Sequence, residues 1–175
     1  MVKLDFKIDE LVKKIADDII QDSEDLEQVI LIGIVTRGYP IAIRLSEQIN
    51  KKLKKQVPVG KLDITLYRDD LETKNNLLKI KETLIPTSIE NKTVILVDDV
   101  FFHGRTVRAA IDHILDYGRP HEIKFAALID RGHRELPISA NYVGQVIETK
   151  KTDIVKISIS EIDGKDLIEK NDKKN

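Results

Sequence analysis

The sequence contains no cysteine, so two kinds of chemistry are excluded at the outset. A chain without cysteine can form no disulfide framework and can offer no thiolate as a nucleophile or metal ligand. The absence also suits a reducing compartment, and we expect the protein to be cytoplasmic.

An excess of positive charge is also absent, since the formal net charge is −1 and the sequence pI is about 6.4. The chain therefore has no general basic field for nucleic acid, although a local basic patch remains open. Lys, Asp and Glu are spread through residues 1–21, which leaves no apolar signal-peptide core. No segment approaches the roughly 20 apolar residues of a membrane span, so no membrane partner is expected.

What the sequence does contain is typical of one globular domain spanning residues 1–175, with 41% hydrophobic and 34% charged residues. Apolar residues recur at helical spacing in three segments and form short continuous or alternating runs in five others. The helical segments are 11–20, 40–49 and 107–115, and the predicted strands are 29–34, 61–67, 94–97, 123–129 and 154–159. This alternation predicts an α/β fold, with a twisted, mainly parallel sheet flanked by helices.

Three stretches do not fit this alternation. Residues 68–86 are polar and longer than an ordinary connection, so we predict a flexible arm there. Residues 131–149 lack a clean period, and we predict that they form a small hood over one end of the sheet. The charged tail, residues 163–175, is expected to fray.

The segment Val94–Thr106 carries the most chemical information. An apolar strand ends in Asp98 and Asp99, and a short loop containing Gly104 then leads into a helix. Ligands of open α/β sheets bind at this end of the strands, and the unpaired N–H groups of a helix N-terminus attract anions. Gly104 allows close approach of the backbone, and Thr106 adds a hydroxyl group. We therefore predict a phosphate site on this loop.

A phosphate bound on this loop would lie about the length of one sugar from the carboxylates of Asp98 and Asp99. Carboxylates accept hydrogen bonds from ribose hydroxyls and bind Mg²⁺ directly or through water. Together the loop and Asp98–Asp99 describe a ribose 5-phosphate site, whereas the glycine and lysine spacings of a P-loop or a dinucleotide fingerprint are missing. The competing interpretation is an ordinary acidic pair in a turn at the end of a strand.

Residues 94–106 resemble the PRPP-binding motif of type I phosphoribosyltransferases, and in particular of the PyrR family. Three further segments resemble motifs of that family: its pyrophosphate loop, the strand leading into its flexible arm, and its base-binding hood. They are residues 33–38, 63–70 and 129–137. The resemblance implies a type I phosphoribosyltransferase fold and an enzyme that converts uracil and PRPP into UMP and pyrophosphate with Mg²⁺.

The resemblance also implies the roles of individual residues. Asp98, Asp99 and Arg37 are the expected catalytic residues, with Mg²⁺ held by the two acids directly or indirectly. The expected ligands of PRPP are Thr36, Arg37, Gly38, Val100, Phe101, Phe102, His103, Gly104, Arg105 and Thr106. Tyr67, Arg68 and Lys81 are expected to bind pyrophosphate from the arm, and Arg131 and Val155 to contact uracil. A cis peptide is expected between Thr36 and Arg37.

Plainer interpretations remain open for several of these residues. Thr36–Gly38 is also compatible with a surface turn leading into a helix. The arm residues are compatible with solvated charge, and Arg131, His133 and Arg134 with an ion-pair network around Glu135.

The chain departs from the family at two places. His103 stands where the family has a small or hydroxylic residue, and it could either bind or crowd the 5′-phosphate. In the family a basic face binds the leader RNA of pyrimidine (pyr) operons, but residues 15–25 of this chain carry five acids. The alternative function is a UMP- or UTP-responsive RNA-binding attenuator with little or no catalytic activity, and a purine-specific enzyme is a third hypothesis. The family also implies a homodimer or a higher homo-oligomer.

Overall fold

The computed structural model describes residues 2–67 and 82–171, which form eight strands, four α-helices and three short 3-10 turns. The strands are β1 (Val2–Lys3), β2 (Val29–Ile34), β3 (Val59–Leu62), β4 (Thr93–Phe101), β5 (Glu122–Asp130), β6 (Tyr142–Val146), β7 (Ile154–Ser158) and β8 (Leu167–Asn171). The helices are α1 (Ile8–Asp22), α2 (Gly38–Leu53), α3 (Arg105–Ile114) and α4 (Ser160–Asp163).

A central sheet of five parallel strands has the order β3-β2-β4-β5-β6. The continuous apolar run of β2 is buried along its whole length, as expected for a parallel strand covered on both faces. Alternate residues serve the two faces: Leu31 packs with α1 and α2, whereas Ile30 and Ile32 pack with α3. The predicted fold class, a parallel sheet flanked by helices, is confirmed.

Helix α1 shows how the apolar period becomes packing. Leu11, Ile15 and Ile19 lie on one face and are 7%, 0% and 0% exposed, because this face covers the sheet. Each such burial stabilises the fold by about 1.5–3 kcal/mol. None of the helices within residues 2–67 and 82–171 is long and apolar enough to cross a bilayer.

A second, antiparallel sheet has the order β1-β8-β7 and joins the two ends of the described chain. Strand β7 confirms the predicted strand at 154–159, and it lies in this second sheet and not in the parallel one. The tail, residues 163–175, was predicted to fray, but it contains β8. The backbone groups of β8 pair with both β1 and β7. Strand β6 lies inside the segment predicted as a hood, and it extends the central sheet by pairing with β5.

The predicted strand over 61–67 ends at Leu62. The Asp63 carboxylate accepts hydrogen bonds from the backbone N–H of Thr65 (2.9 Å) and from its hydroxyl (2.6 Å). This side-chain turn competes with the strand ladder and starts the 3-10 turn Thr65–Tyr67.

Candidate active site

The carboxyl ends of β2, β3 and β4 surround a cleft of about 330 Å³. This is the end of a parallel sheet at which α/β proteins bind ligands. The cleft brings together six residues that were predicted as site residues from separate parts of the sequence: Thr36, Arg37, Asp98, Asp99, Val100 and Thr106. Asp63, Ile64 and Thr65 complete its wall on the β3 side.

A larger groove of about 570 Å³ lies between the end of α2 and the start of β3. Its lining contains Glu47, Asn50 and Gln56 but no lysine, arginine or histidine. An anionic substrate has no cationic partner there, so we place the chemistry in the smaller cleft.

Asp98 ends the continuous buried run of β4, the next residue Asp99 is half-buried, and both line the cleft. One oxygen of Asp98 accepts the backbone N–H of Asp99 at 2.9 Å, and one oxygen of Asp99 accepts that of Val100 at 2.8 Å. Burial raises the pKa of Asp99 above its ordinary value, while hydrogen bonding with the Asp98 side chain, the N–H of Val100 and the charge of Arg37 oppose that shift. The site thus presents a desolvated carboxylate, which gains from a ribose hydroxyl or a cation.

The phosphate loop, residues 100–106, encloses a cavity of about 150 Å³ beside the cleft. Gly104 caps the N-terminus of α3 with φ of +93°, a left-handed conformation that favours glycine. The ten-residue helix that follows points its unpaired N–H groups and its positive dipole end at this cavity. Backbone donors are therefore available for a phosphate.

Arg37 lies in the loop after β2, and its guanidinium is held by a residue that the sequence did not suggest. Its Nε and Nη2 donate to the two carboxylate oxygens of Asp163 at 3.0 and 2.9 Å. This hydrogen-bonded pair raises the pKa of Arg37, and burial opposes the shift. This side-on pair with a carboxylate uses two of the three guanidinium nitrogens, and Arg37 lines the cleft.

Gly38 begins α2 directly behind this arginine. A Cβ atom there would lie 2.2 Å from the carbonyl oxygen of Val97, so only glycine lets the loop pack against β4. The cis peptide predicted between Thr36 and Arg37 is instead found one bond earlier, between Val35 and Thr36.

His103 faces the hood segment. Its Nε2 lies 3.6 Å from the carboxylate of Glu135, which also pairs with Arg105 at 3.0 Å and with Lys151 at 3.3 Å. Burial lowers the pKa of His103, and Glu135 opposes this shift. His103 is therefore neutral near pH 7. Its ring stacks on the ring of Phe102.

Arg131 is 6% exposed and lies with its guanidinium 3.9 Å from the centre of the Phe102 ring. Its Nη2 donates to the carbonyl oxygen of Lys150 at 3.0 Å, whereas its buried Nε–H has no acceptor within the described residues. Such an orphan donor is costly unless a ligand oxygen accepts from it. Val155 lies in β7 and packs against the same core cluster as Val100.

Of the predicted arm only residues 82–86 are described, since Arg68 and Lys81 lie outside the described residues. Tyr67 points away from the cleft: its ring stacks on His113 at 4.2 Å, and its hydroxyl donates to Asp116. On the return side, Leu84 pairs with Lys61 of β3. Tyr67 thus packs against α3 and the turn that follows it, and its contact with pyrophosphate stays a prediction.

Asp63 and Asp163 were not singled out from the sequence. Asp63 had a local signal, because an acid two residues before a threonine is typical of a side-chain turn. Asp163 had none, because it meets Arg37 across 126 residues of sequence.

The residues present suit Mg²⁺ bound partly through substrate. No group of three or more His, Cys, Asp or Glu side chains within residues 2–67 and 82–171 could form a protein-only metal site. Asp98 and Asp99 nevertheless offer hard carboxylate oxygens to the cleft, and Mg²⁺ commonly binds through one or two carboxylates plus substrate phosphates and water.

Comparison with known families gives a consistent result. The family model described as the phosphoribosyl transferase domain matches residues 6–161. Proteins named bifunctional protein PyrR are similar over most of their length. One from Thermus thermophilus is 47% identical over 156 residues, covering 89% of this chain and 86% of the relative. Another, from Alkaliphilus metalliredigens, is 50% identical over 155 residues, covering 89% and 85%.

Solved structures share the fold at lower identity. A hypoxanthine-guanine phosphoribosyltransferase from Bacillus anthracis superposes with a TM-score of 0.62 at 24% identity, covering 84% of this chain and 82% of that one. A hypoxanthine phosphoribosyltransferase from Trypanosoma cruzi gives 0.58 at 22%, covering 85% and 77%. At these identities the likeness concerns architecture and carries no information on the base.

Proposed function

The chain belongs to the PyrR family of phosphoribosyl transferases, and from this premise we propose that it transfers the ribose 5-phosphate of PRPP to uracil. In this reaction a bond forms between C1′ and N1 of uracil while the bond from C1′ to the pyrophosphate oxygen breaks. The N1 proton is released, and the products are UMP and pyrophosphate.

One observation carries the proposal: a cleft lined by a pair of acids and a fixed guanidinium adjoins a backbone phosphate cradle, and Val100 and Thr106 line both. The cradle would hold the 5′-phosphate, Asp98 and Asp99 the ribose hydroxyls, and Arg37 the pyrophosphate. Catalysis would come from positioning and electrostatic stabilisation of the leaving group, without a covalent intermediate.

Mg²⁺ would be held by Asp98 and Asp99, directly or through water, and would neutralise charge on the leaving pyrophosphate. Arg37 would contribute further positive charge on the same side. Because burial disfavours the charged form of Asp99, a hydroxyl donor or a bound cation restores the solvation that this carboxylate lacks.

Arg131 and Val155 would contact the uracil. The buried Nε–H of Arg131 needs an acceptor, and a uracil carbonyl oxygen can supply one. The carbonyl oxygen of Lys150 fixes the guanidinium, and Asp153 in turn accepts the backbone N–H of Lys150 at 2.7 Å. The turn at 150–153 would thus orient the arginine that we propose to contact the base.

The direct test is pyrophosphate release from PRPP and Mg²⁺ with uracil, hypoxanthine, guanine or adenine. We expect turnover with uracil alone. Turnover with a purine and none with uracil would reject uracil as the acceptor. If folded protein turned over none of the bases, the enzyme proposal would fail and a nucleotide-binding protein would be the better interpretation.

A second function, RNA-binding control of pyrimidine genes in response to UMP or UTP, is suggested by relatives that are named bifunctional. The acids of α1 weaken it, although Asp17 pairs with Lys52 and Asp22 with Lys124, so part of this charge is neutralised. We rank leader RNA below PRPP and uracil as a partner. Filter binding at low and physiological salt tests the ranking, which tight, sequence-selective binding would reverse.

The family also leads us to propose a homodimer or a higher homo-oligomer. Light scattering at several protein concentrations would decide this, and a monomer throughout would reject it.

A further inference from the structure

The side chain of Arg134 makes contacts with the phosphate loop that the proposed chemistry does not require. Its Nη1 donates to the carbonyl oxygens of Phe102 at 2.7 Å and Gly132 at 3.0 Å. Its Nη2 pairs with the carboxylate of Asp130, and the guanidinium carbon lies 3.2 Å from the centre of the Phe101 ring. The arginine thus pairs with Asp130 of β5 on one side and donates to the phosphate loop on the other.

Three successive carbonyl groups of the phosphate loop point at the segment 131–135. The carbonyl oxygen of Phe101 accepts the N–H of Arg131 at 3.1 Å, and that of Phe102 accepts Nη1 of Arg134 at 2.7 Å. The carbonyl oxygen of His103 accepts the N–H of Glu135 at 3.0 Å. The first and last of these contacts use backbone donors, whereas the middle one depends on the side chain of Arg134, whose Nη1 also lies 3.4 Å from the carbonyl oxygen of Phe101.

Because the peptide bond is planar, the contacts that fix these three carbonyl groups also fix the direction of the N–H groups that follow them. In a trans peptide the C=O of one residue and the N–H of the next point in opposite directions. The N–H groups of Phe102, His103 and Gly104 therefore face away from the segment 131–135, and none makes a backbone hydrogen bond within the described residues. Successive N–H groups turned to one side form a concavity that binds anions.

We propose that Arg134 is a positioning residue for the 5′-phosphate: by holding the carbonyl oxygen of Phe102, it keeps the N–H of His103 turned toward the phosphate. The proposal rests on the phosphoribosyl-binding function proposed for this loop. Arg134 itself does not touch the ligand, because its side chain is only 23% exposed and both terminal nitrogens donate to protein oxygens.

Comparing the affinities for a nucleotide and for its nucleoside distinguishes a role in phosphate binding from a general role in stability. UMP carries the phosphate and uridine does not, so calorimetric titration of both ligands isolates the phosphate contribution. In Arg134→Gln we expect UMP to bind about tenfold more weakly, while the affinity for uridine stays at the wild-type value. Arg134→Lys should lose less, since an ammonium group can still donate to Phe102. Arg119→Gln is the matched control, because Arg119 is exposed and distant from the site.

Inorganic phosphate supplies a readout that does not depend on the base. It should bind wild type and Arg119→Gln alike and bind Arg134→Gln more weakly. Phosphate binding with this pattern, but no uracil-dependent turnover, would reject the proposed reaction and retain the role of Arg134. Equal phosphate affinity in wild type and Arg134→Gln would overturn that role, as would an equal loss of UMP and uridine affinity. If Arg134→Gln does not fold, Arg134→Lys and Asp130→Asn allow the same comparisons.

Discussion

Two loops follow neighbouring strands of the central sheet, and both are proposed to bind phosphate groups of one substrate. The phosphate loop after β4 offers backbone N–H groups, which a helix start and the segment after β5 hold in place. The loop after β2 offers the side chain of Arg37. Asp163, the last residue of α4, holds this side chain by two hydrogen bonds. Backbone donors are fixed mainly by nearby chain, whereas a long side chain needs a remote partner to lose its rotamer freedom.

This difference makes the two loops separable by ligand. UMP has only the 5′-phosphate, whereas PRPP also has the pyrophosphate group. Changes in the loop after β2 should therefore affect PRPP alone, and changes in the phosphate loop should affect both ligands.

The largest effect is expected at Asp99, which lines the cleft together with Arg37 of one loop and Thr106 of the other. Asp99→Asn keeps the acceptor for the N–H of Val100 but loses the charge that binds ribose hydroxyls and a cation. We expect kcat/KM to fall by about two to four orders of magnitude, as two charge-assisted hydrogen bonds would imply. Steady-state kinetics with saturating uracil would measure this.

The same variant should fold at least as stably as wild type at neutral pH, because it removes a buried carboxylate whose pKa burial raises. Thermal unfolding without ligand checks this point. Asp112→Asn, an exposed change on α3, serves as the control. Unchanged turnover in Asp99→Asn would remove this acid from the mechanism.

Arg37→Gln should separate the loops most clearly. We expect kcat/KM for PRPP to fall by about tenfold to a hundredfold, because a cation next to the leaving pyrophosphate is lost. The affinity for UMP, measured by titration, should stay at the wild-type value. An equal loss of UMP binding would show that Arg37 does not distinguish the two phosphate positions.

Asp163→Asn tests whether the remote partner matters. The amide keeps the shape of the carboxylate but not its charge, so Arg37 should be held less firmly and KM for PRPP should rise by about three- to tenfold. UMP binding should again be unchanged. A KM equal to that of wild type would mean that the β2 loop orders its arginine without help.

The stability of this variant should depend on pH in a defined direction. The hydrogen bond from Arg37 lowers the pKa of Asp163. The pair therefore stabilises the fold above the ordinary carboxylate pKa of about 4, and this contribution disappears as the pH falls through the lower folded value. The difference in Tm between wild type and Asp163→Asn should be present at neutral pH and shrink in acid.

The smallest effect is expected for His103→Thr in the phosphate loop. Burial keeps His103 neutral near pH 7, so its removal should leave UMP affinity equal or improve it a few-fold. Below the ordinary histidine pKa of about 6.5 the wild-type ring can gain charge toward the phosphate, and the advantage of the variant should shrink. Titrations across this range measure the ratio, and a large loss at neutral pH would identify His103 as a phosphate ligand.

Much of the fold was predictable because its signals are local. The apolar runs of β2 and β4 and the stripe of α1 identified buried elements, and the parallel α/β class and the family are confirmed. Strands β1, β6 and β8 were missed because β1 has only two residues, β6 is interrupted by Gly144, and β8 mixes apolar with polar and charged residues. The roles of the individual site residues stay predictions.

The sequence by itself determined the elements whose cause lies within a few residues: the buried strands, the glycine at the start of α3, and the acids at the end of β4. Only the tertiary structure decided which distant groups fix the site. Asp163 reaches Arg37 across 126 residues, and Arg134 reaches Phe102 across 32. Such pairs leave no periodic signal, because a hydrogen bond depends on distance and direction in space and not on separation along the chain.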